Sequence, residues 1–187
     1  MSLKAVFLDK DGTISRDVGY LNDPDKLEIF PYSAAAIKML NNAGYRVFVI
    51  SNQAGIARGL LTENILQAID KKMIRTLLGQ GAIIDAVYYC PHHPEHGTYP
   101  FRKECDCRKP GSGMLKKAVK SYDIDVASSF MVGDKKTDID AGKDLGVKTI
   151  LIHTGYGKDE EKKFAPGNRP DHVADNLFEA VKWILVQ

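Results

Sequence analysis

Short β-branched and aromatic runs alternate with longer amphipathic segments along this chain. That alternation restricts it to βαβ units around a parallel sheet. The pattern predicts strands at about 4–8, 46–51, 84–89, 129–132 and 148–152, with a weaker one near 171–174. Helices are predicted at about 33–43, 63–79, 112–121, 137–145 and 176–185. Thr62 is placed to N-cap the second helix, with Glu63 in its first turn. Thr137 with Asp140 reads as a capping box at the fourth. Two stretches break the rhythm. Residues 12–30 are too irregular for a crossover helix, and residues 90–111 hold all three cysteines. The expected fold is α/β: a doubly wound, mainly parallel Rossmann-like sheet in a single domain over 1–187, with a minimal flap at about 12–30.

With 187 residues the chain is long enough to bury an apolar core without staples. Its 26 basic and 24 acidic residues leave a net charge of +2, mixed along the sequence. Such a balance gives no general attraction to nucleic acid or membranes. No apolar stretch approaches a membrane span, and the short run Ala5–Leu8 is no signal-peptide core. Three cysteines cannot form a pure disulfide framework. The expectation is a cytoplasmic enzyme, monomeric by default.

Open α/β sheets bind ligands at the carboxyl ends of their strands, so the residues following each strand carry the functional reading. After the first come Asp9, Asp11, Gly12 and Thr13; after the second, Ser51, Asn52 and Gln53. The third leads through the Cys/His segment to Arg108 and Lys109, and the fourth ends in Gly133, Asp134 and Lys135. A lone Asp-x-Asp at a strand end is more often a turn than a catalytic pair. Four strand ends delivering such groups to one edge is harder to explain structurally.

Asp9 and Asp11, spaced i, i+2, face one crevice while Lys10 points away. Mutual repulsion raises one pKa, which divides the pair into an ionised nucleophile and a general acid/base. Asp134 adds a hard oxygen ligand of the kind Mg2+ prefers. Lys109 and Lys135 supply positive charge for a phosphoryl group. Asp138 is read as starting its helix rather than binding metal.

Cys90-Pro91-His92-His93-Pro94 and Cys105-Asp106-Cys107-Arg108-Lys109-Pro110 place paired soft ligands on either side of a loop. Cys90, His92, Cys105 and Cys107 make a four-ligand structural Zn2+ site, with the zinc loop at about 90–107. His93 rivals His92, and spacing does not choose between them. Zinc here would fix the backbone just before Arg108 and Lys109. Arg108, with its planar fork, is the better candidate than Arg58 for an additional anionic or hydroxyl-rich part of the substrate.

These residues resemble the haloacid dehalogenase superfamily over nearly the whole chain, in the family's order. Asp9-Lys10-Asp11-Gly12-Thr13 resembles motif I, Ser51-Asn52 motif II, Lys109 motif III, and Gly133-Asp134 with Asp138 motif IV. The resemblance implies that Asp9 attacks phosphorus while Asp11 protonates the alkoxide and later activates water. Ser51 and Lys109 would hold phosphoryl oxygens. Asp9, Asp134 and the backbone carbonyl of Asp11 would bind Mg2+. Dehalogenases share the superfamily, but a proton donor such as Asp11 is wasted on a halide.

The Cys/His loop is similar to that of the D-glycero-D-manno-heptose 1,7-bisphosphate 7-phosphatases. Asp17-Val18-Gly19-Tyr20 and Ser51-Asn52-Gln53 through Gly59 also resemble that group's substrate-side segments. Asp17, Gly19, Tyr20, Ser51, Asn52, Gln53, Arg108, Lys109 and Lys135 are thereby candidate substrate contacts. The implied substrate is a small phosphorylated sugar, with neither nucleic acid nor membrane as partner, and the implied pathway makes a nucleotide-activated heptose. Histidinol-phosphate phosphatases share the scaffold and are the alternative. A phosphotransferase, or an inactive zinc-stabilised interaction module, are the readings from other classes.

Overall fold

The computed structural model describes residues 2–187. Six parallel strands form the sheet: β1 (Ala5–Leu8), β2 (Arg46–Asn52), β3 (Ala86–Cys90), β4 (Phe130–Gly133), β5 (Lys148–Ile152) and β6 (His172–Ala174). Their order is β3-β2-β1-β4-β5-β6. The helices are α1 (Ser33–Asn42), α2 (Glu63–Leu78), α3 (Gly113–Tyr122), α4 (Lys136–Leu145), α5 (Gly157–Glu161) and α6 (Leu177–Ile184). The chain winds outward from β1 through β2 and β3, then returns to β4 on β1's other side. The sheet therefore has its topological switch point between β1 and β4, where such folds open a ligand crevice.

Both faces of the sheet are covered, which is why the strands read as continuous apolar runs rather than alternating ones. Side chains alternate between faces with period two. Val6, Leu8, Val47, Val49 and Val132 pack with Ile37, Leu40, Met73, Leu77, Val181 and Ile184 of α1, α2 and α6. Ala5, Phe7, Phe48, Ile50 and Met131 pack on the opposite side against Met114, Leu115, Ala118 and Ala141 of α3 and α4.

The predicted caps divide. Thr62 accepts the Ile65 amide at 3.2 Å and opens α2 as expected. The box expected from Thr137 and Asp140 does not form. The helix α4 begins one residue earlier, with Lys135 at the N-cap, so the reaching carboxylate belongs to Asp138, whose Oδ2 accepts the Lys135 amide at 3.0 Å. Asp140, one turn beyond Lys136, pairs instead with that lysine at 2.6 Å. The short α5 was not predicted, since Gly157-Lys158-Asp159-Glu160-Glu161 has no apolar periodicity. Within 12–30 the one helical element among the described residues is a 3-10 turn, Pro24–Lys26, and an antiparallel bridge from Ser15 to Ile29 ties the two ends of the segment together. Among the described residues no helix is long and apolar enough to cross a membrane.

Candidate active site and metal-binding loop

Asp9 follows β1 and Asp134 follows β4, one on each side of the switch point, and both are buried. Their carboxylates, with that of Asp138 from the first turn of α4, offer oxygens within 4.8 Å of one another. Lys109 enters this cluster from the Cys/His side. Its Nζ donates to Asp9 Oδ1 at 2.6 Å and to the Ile50 carbonyl at 2.7 Å, and lies 2.6 Å from Asp138 Oδ1. Burial opposes the lysine's charge, but Asp138 and Asp9 outweigh it and raise its pKa. A phosphoryl oxygen reaching this ammonium must displace one of its three partners.

Asp134 is the clearest sign that a cation belongs here. Its Oδ1 is buried with no hydrogen-bond partner, while Oδ2 accepts the Tyr156 amide at 2.8 Å. Such orphaned buried carboxylate oxygen is costly unless a cation meets it. Burial first, then Asp9 and Asp138, push its pKa up to about 8. Burial likewise pushes Asp138 to about 6, against the relief given by Lys109. Two glycines make room for Asp134: a Cβ on Gly12 would fall 2.3 Å from its Oδ2, and one on Gly155 2.1 Å. Hard carboxylate oxygens in a buried pocket fit Mg2+.

Asp11 stands apart from that cluster. Its Oδ2 accepts from Gln53 Nε2 at 2.9 Å, and the same nitrogen donates to Ser51 Oγ at 2.7 Å. Burial is the largest influence on Asp11; with help from Asp9 it raises the pKa despite nearby Lys10. A proton-holding carboxyl beside a nucleophile is what acid/base chemistry requires.

A cavity of about 300 Å³ opens over these groups, lined among others by Asp9, Asp11, Ser51, Gln53, Lys109 and Lys135. The flap contributes Asp17, Gly19 and Tyr20 to it. Asp17 is tied down by Lys135 Nζ at 3.0 Å and by the Gly19 amide at 2.8 Å. Tyr20 remains 46% exposed, with the Arg58 guanidinium 6.0 Å from its ring centre.

Not every expected contact faces the cavity. Asn52 lines it, yet its amide clasps the backbone of Lys109, donating to the carbonyl and accepting from the N–H, both at 3.0 Å. Arg108 does not line the cavity; its Nη1 donates to the His92 carbonyl at 3.2 Å. Thr137 and Tyr156 line it without having been predicted. Tyr156 follows β5, so the strand-end rule that found Asp9 would have found it, had it been carried to the fifth strand.

The Cys/His loop closes as a four-atom cluster. Cys107 Sγ lies 3.2 Å from both Cys90 and Cys105, and His92 Nδ1 lies 3.3 Å from Cys107. The four residues share one potential ligand centre. His93 is engaged elsewhere, its Nδ1 accepting the amides of Glu95 and His96 at 3.1 and 3.2 Å. Burial and the neighbouring Cys105 raise the pKa of Cys107, against the relief given by Cys90. Uncompensated, four such groups are unfavourable; three thiols and an imidazole fit Zn2+, which takes them as thiolates.

Residues 106–180 match the HAD-hydrolase-like family model. The D-glycero-beta-D-manno-heptose-1,7-bisphosphate 7-phosphatase of Haemophilus ducreyi is 39% identical, covering 98% of this chain and 100% of its own. The enzyme of that name from Escherichia coli K12 is 42% identical over 95% of this chain and 92% of its own. Among solved structures, a D,D-heptose 1,7-bisphosphate phosphatase from B. bronchiseptica, complexed with magnesium and phosphate, superposes with a TM-score of 0.87. It is 33% identical and covers 98% of this chain and 99% of its own.

Proposed function

The chain belongs to the heptose-bisphosphate phosphatase family of HAD-like hydrolases, and on that premise we propose that it removes the 7-phosphate of D-glycero-D-manno-heptose 1,7-bisphosphate, with Asp9 as nucleophile. The observation that carries this reading is that Asp9, Asp11 and Lys109 line one cavity of about 300 Å³, with the buried carboxylate of Asp134 beside that of Asp9. The product would feed the making of a nucleotide-activated heptose. The whole chain acts as one catalytic unit, with 12–30 as its flap. We place it in the cytoplasm as a monomer, where three free thiols stay available to a metal.

Asp9 and Asp134, with the backbone carbonyl of Asp11, would hold Mg2+, which when bound neutralises the carboxylates and the phosphoryl charge. One Asp9 oxygen attacks phosphorus, and the bond from phosphorus to the sugar oxygen breaks. Asp11 gives its proton to the departing alkoxide. In the second half Asp11 takes a proton from water as that water attacks the phosphoaspartate, releasing phosphate and freeing Asp9. Ser51 and Lys109 bind the phosphoryl oxygens through both steps. Asp138 anchors Lys109 and starts α4. Asp17, Gly19, Tyr20, Gln53 and Lys135 form the sugar side, and Asn52 serves by fixing Lys109. Cys90, His92, Cys105 and Cys107 would hold Zn2+, which would pin the loop that delivers Lys109.

Phosphorus NMR of the bisphosphate during turnover with Mg2+ tests the reading. Loss of the 7-phosphate resonance with the 1-phosphate retained is expected. Loss of the 1-phosphate, or faster hydrolysis of histidinol phosphate at matched concentration, would overturn it.

A further inference from the structure

Lys10 sits between the two carboxylates of the first strand end and points away from the cavity, yet it is not a surface residue. It is 1% exposed, among the largest fully buried side chains. A buried ammonium is expensive unless paired. Lys10 Nζ lies 3.3 Å from Asp70 Oδ1 on α2 and 3.9 Å from Asp11 Oδ2. Asp70 is itself buried, at 9% exposure, and Lys10 is its one ion-pair partner among the described residues. One cation therefore serves two carboxylates, and one of these is Asp11.

The side from which Lys10 approaches matters. Gln53 Nε2 donates to Asp11 Oδ2, and Lys10 Nζ faces the same oxygen. The Gln53 hydrogen bond and the Lys10 charge, 3.9 Å away, both act on Oδ2, which leaves Oδ1 as the oxygen without a donor. A proton on a carboxyl settles on the oxygen not already accepting a hydrogen bond, because an O–H at Oδ2 would oppose the Gln53 N–H and the Lys10 charge there.

We propose that Lys10, anchored by Asp70, is a positioning residue for the reaction: with Gln53 it fixes the Asp11 carboxyl so that Oδ1 carries the proton toward the leaving alkoxide. This rests on the phosphatase reading above and adds to it a role for a side chain that touches neither substrate nor metal. The placement also explains why a charged pair is buried between β1 and α2, where apolar packing would otherwise serve.

Leaving-group dependence separates positioning from a merely structural role. An alkyl phosphate needs its departing oxygen protonated, whereas p-nitrophenyl phosphate leaves as a stable phenolate. The value of kcat/KM reports the steps through phosphoaspartate formation. For Lys10→Met, kcat/KM on the sugar bisphosphate should fall about tenfold or more, part of the 10²–10⁴ that a positioned acid contributes. On p-nitrophenyl phosphate it should change less than about threefold, and Lys10→Arg should restore most of the loss. Should Lys10→Met fail to fold, Asp70→Asn decides the matter: it keeps the lysine, removes its anchor, and should show the same ester-selective loss. Equal losses on both esters, or none on either, would overturn the proposal. Failure of the wild-type protein to hydrolyse either ester would instead sink the phosphatase reading.

Discussion

At position 12 a methyl group has nowhere to go. The backbone is left-handed there, with φ of +97°, and an added Cβ would lie 2.3 Å from Asp134 Oδ2. Gly12→Ala should displace the very carboxylate whose other oxygen lacks a partner. We expect the Mg2+ concentration for half-maximal activity to rise about 10–100-fold, as when the support of a metal ligand is lost. A magnesium titration of phosphate release checks this. Lys109 gives a second prediction. With its side chain 2% exposed and two carboxylates at 2.6 Å, Lys109→Met leaves both buried charges unpaired. The cost should be about 3–5 kcal/mol in urea unfolding without Mg2+. Asp9, Asp11 and Asp134 were legible in the sequence because chemistry dictates their residue types and the strand ends dictate their place. Nothing in the sequence signals that Asn52 clasps the Lys109 backbone or that Arg108 donates to the His92 carbonyl, since only folded geometry shows a side chain turning back to hold its own loop.

The zinc loop is the element whose removal should speak most clearly. Cys107 contributes to the cluster and is followed directly by Arg108 and Lys109. Cys107→Ala should lose bound zinc and lower kcat/KM with Mg2+ saturating, because the backbone carrying Lys109 loses its tether. Metal analysis beside steady-state kinetics tests both; retained zinc with unchanged kinetics would contradict the role. The cap of α2 offers a contrast: Thr62→Ala should cost about 1 kcal/mol of stability while leaving kcat/KM unchanged. Helices with a strong apolar period, such as α2, were predictable to within a residue or two. The capping carboxylate of α4 was not, because Asp138 and Asp140 are equally good capping residues on paper. The choice fell to Asp138, which the buried Lys109 ammonium also requires.

The molecule as a whole gathers several carboxylates at its switch point, and this should make its stability depend on pH in an unusual direction. Asp134 is raised to about 8 and Asp138 to about 6, in both cases chiefly by burial. A carboxyl raised on folding holds more protons in the folded state than in the unfolded state between the two pKa values. The Mg2+-free protein should therefore lose stability as pH rises from about 4 to about 8. Bound Mg2+ replaces those protons, so the gap in Tm with and without it should widen from pH 5 to pH 8. Thermal melts of the zinc-loaded protein, with and without Mg2+, measure that gap; a constant gap would contradict the account. The doubly wound layout was legible because alternating runs of these lengths fit few other arrangements, and the parallel order follows from it. Identifying the covalent intermediate tests the central claim most directly. Turnover is quenched in acid, acyl phosphate is reduced with borohydride, and the N-terminal peptide is mapped by mass spectrometry. Homoserine at position 9, absent without substrate, is the predicted result. Reduction at another carboxylate, or at none while turnover persists, would contradict a phosphoaspartate on Asp9.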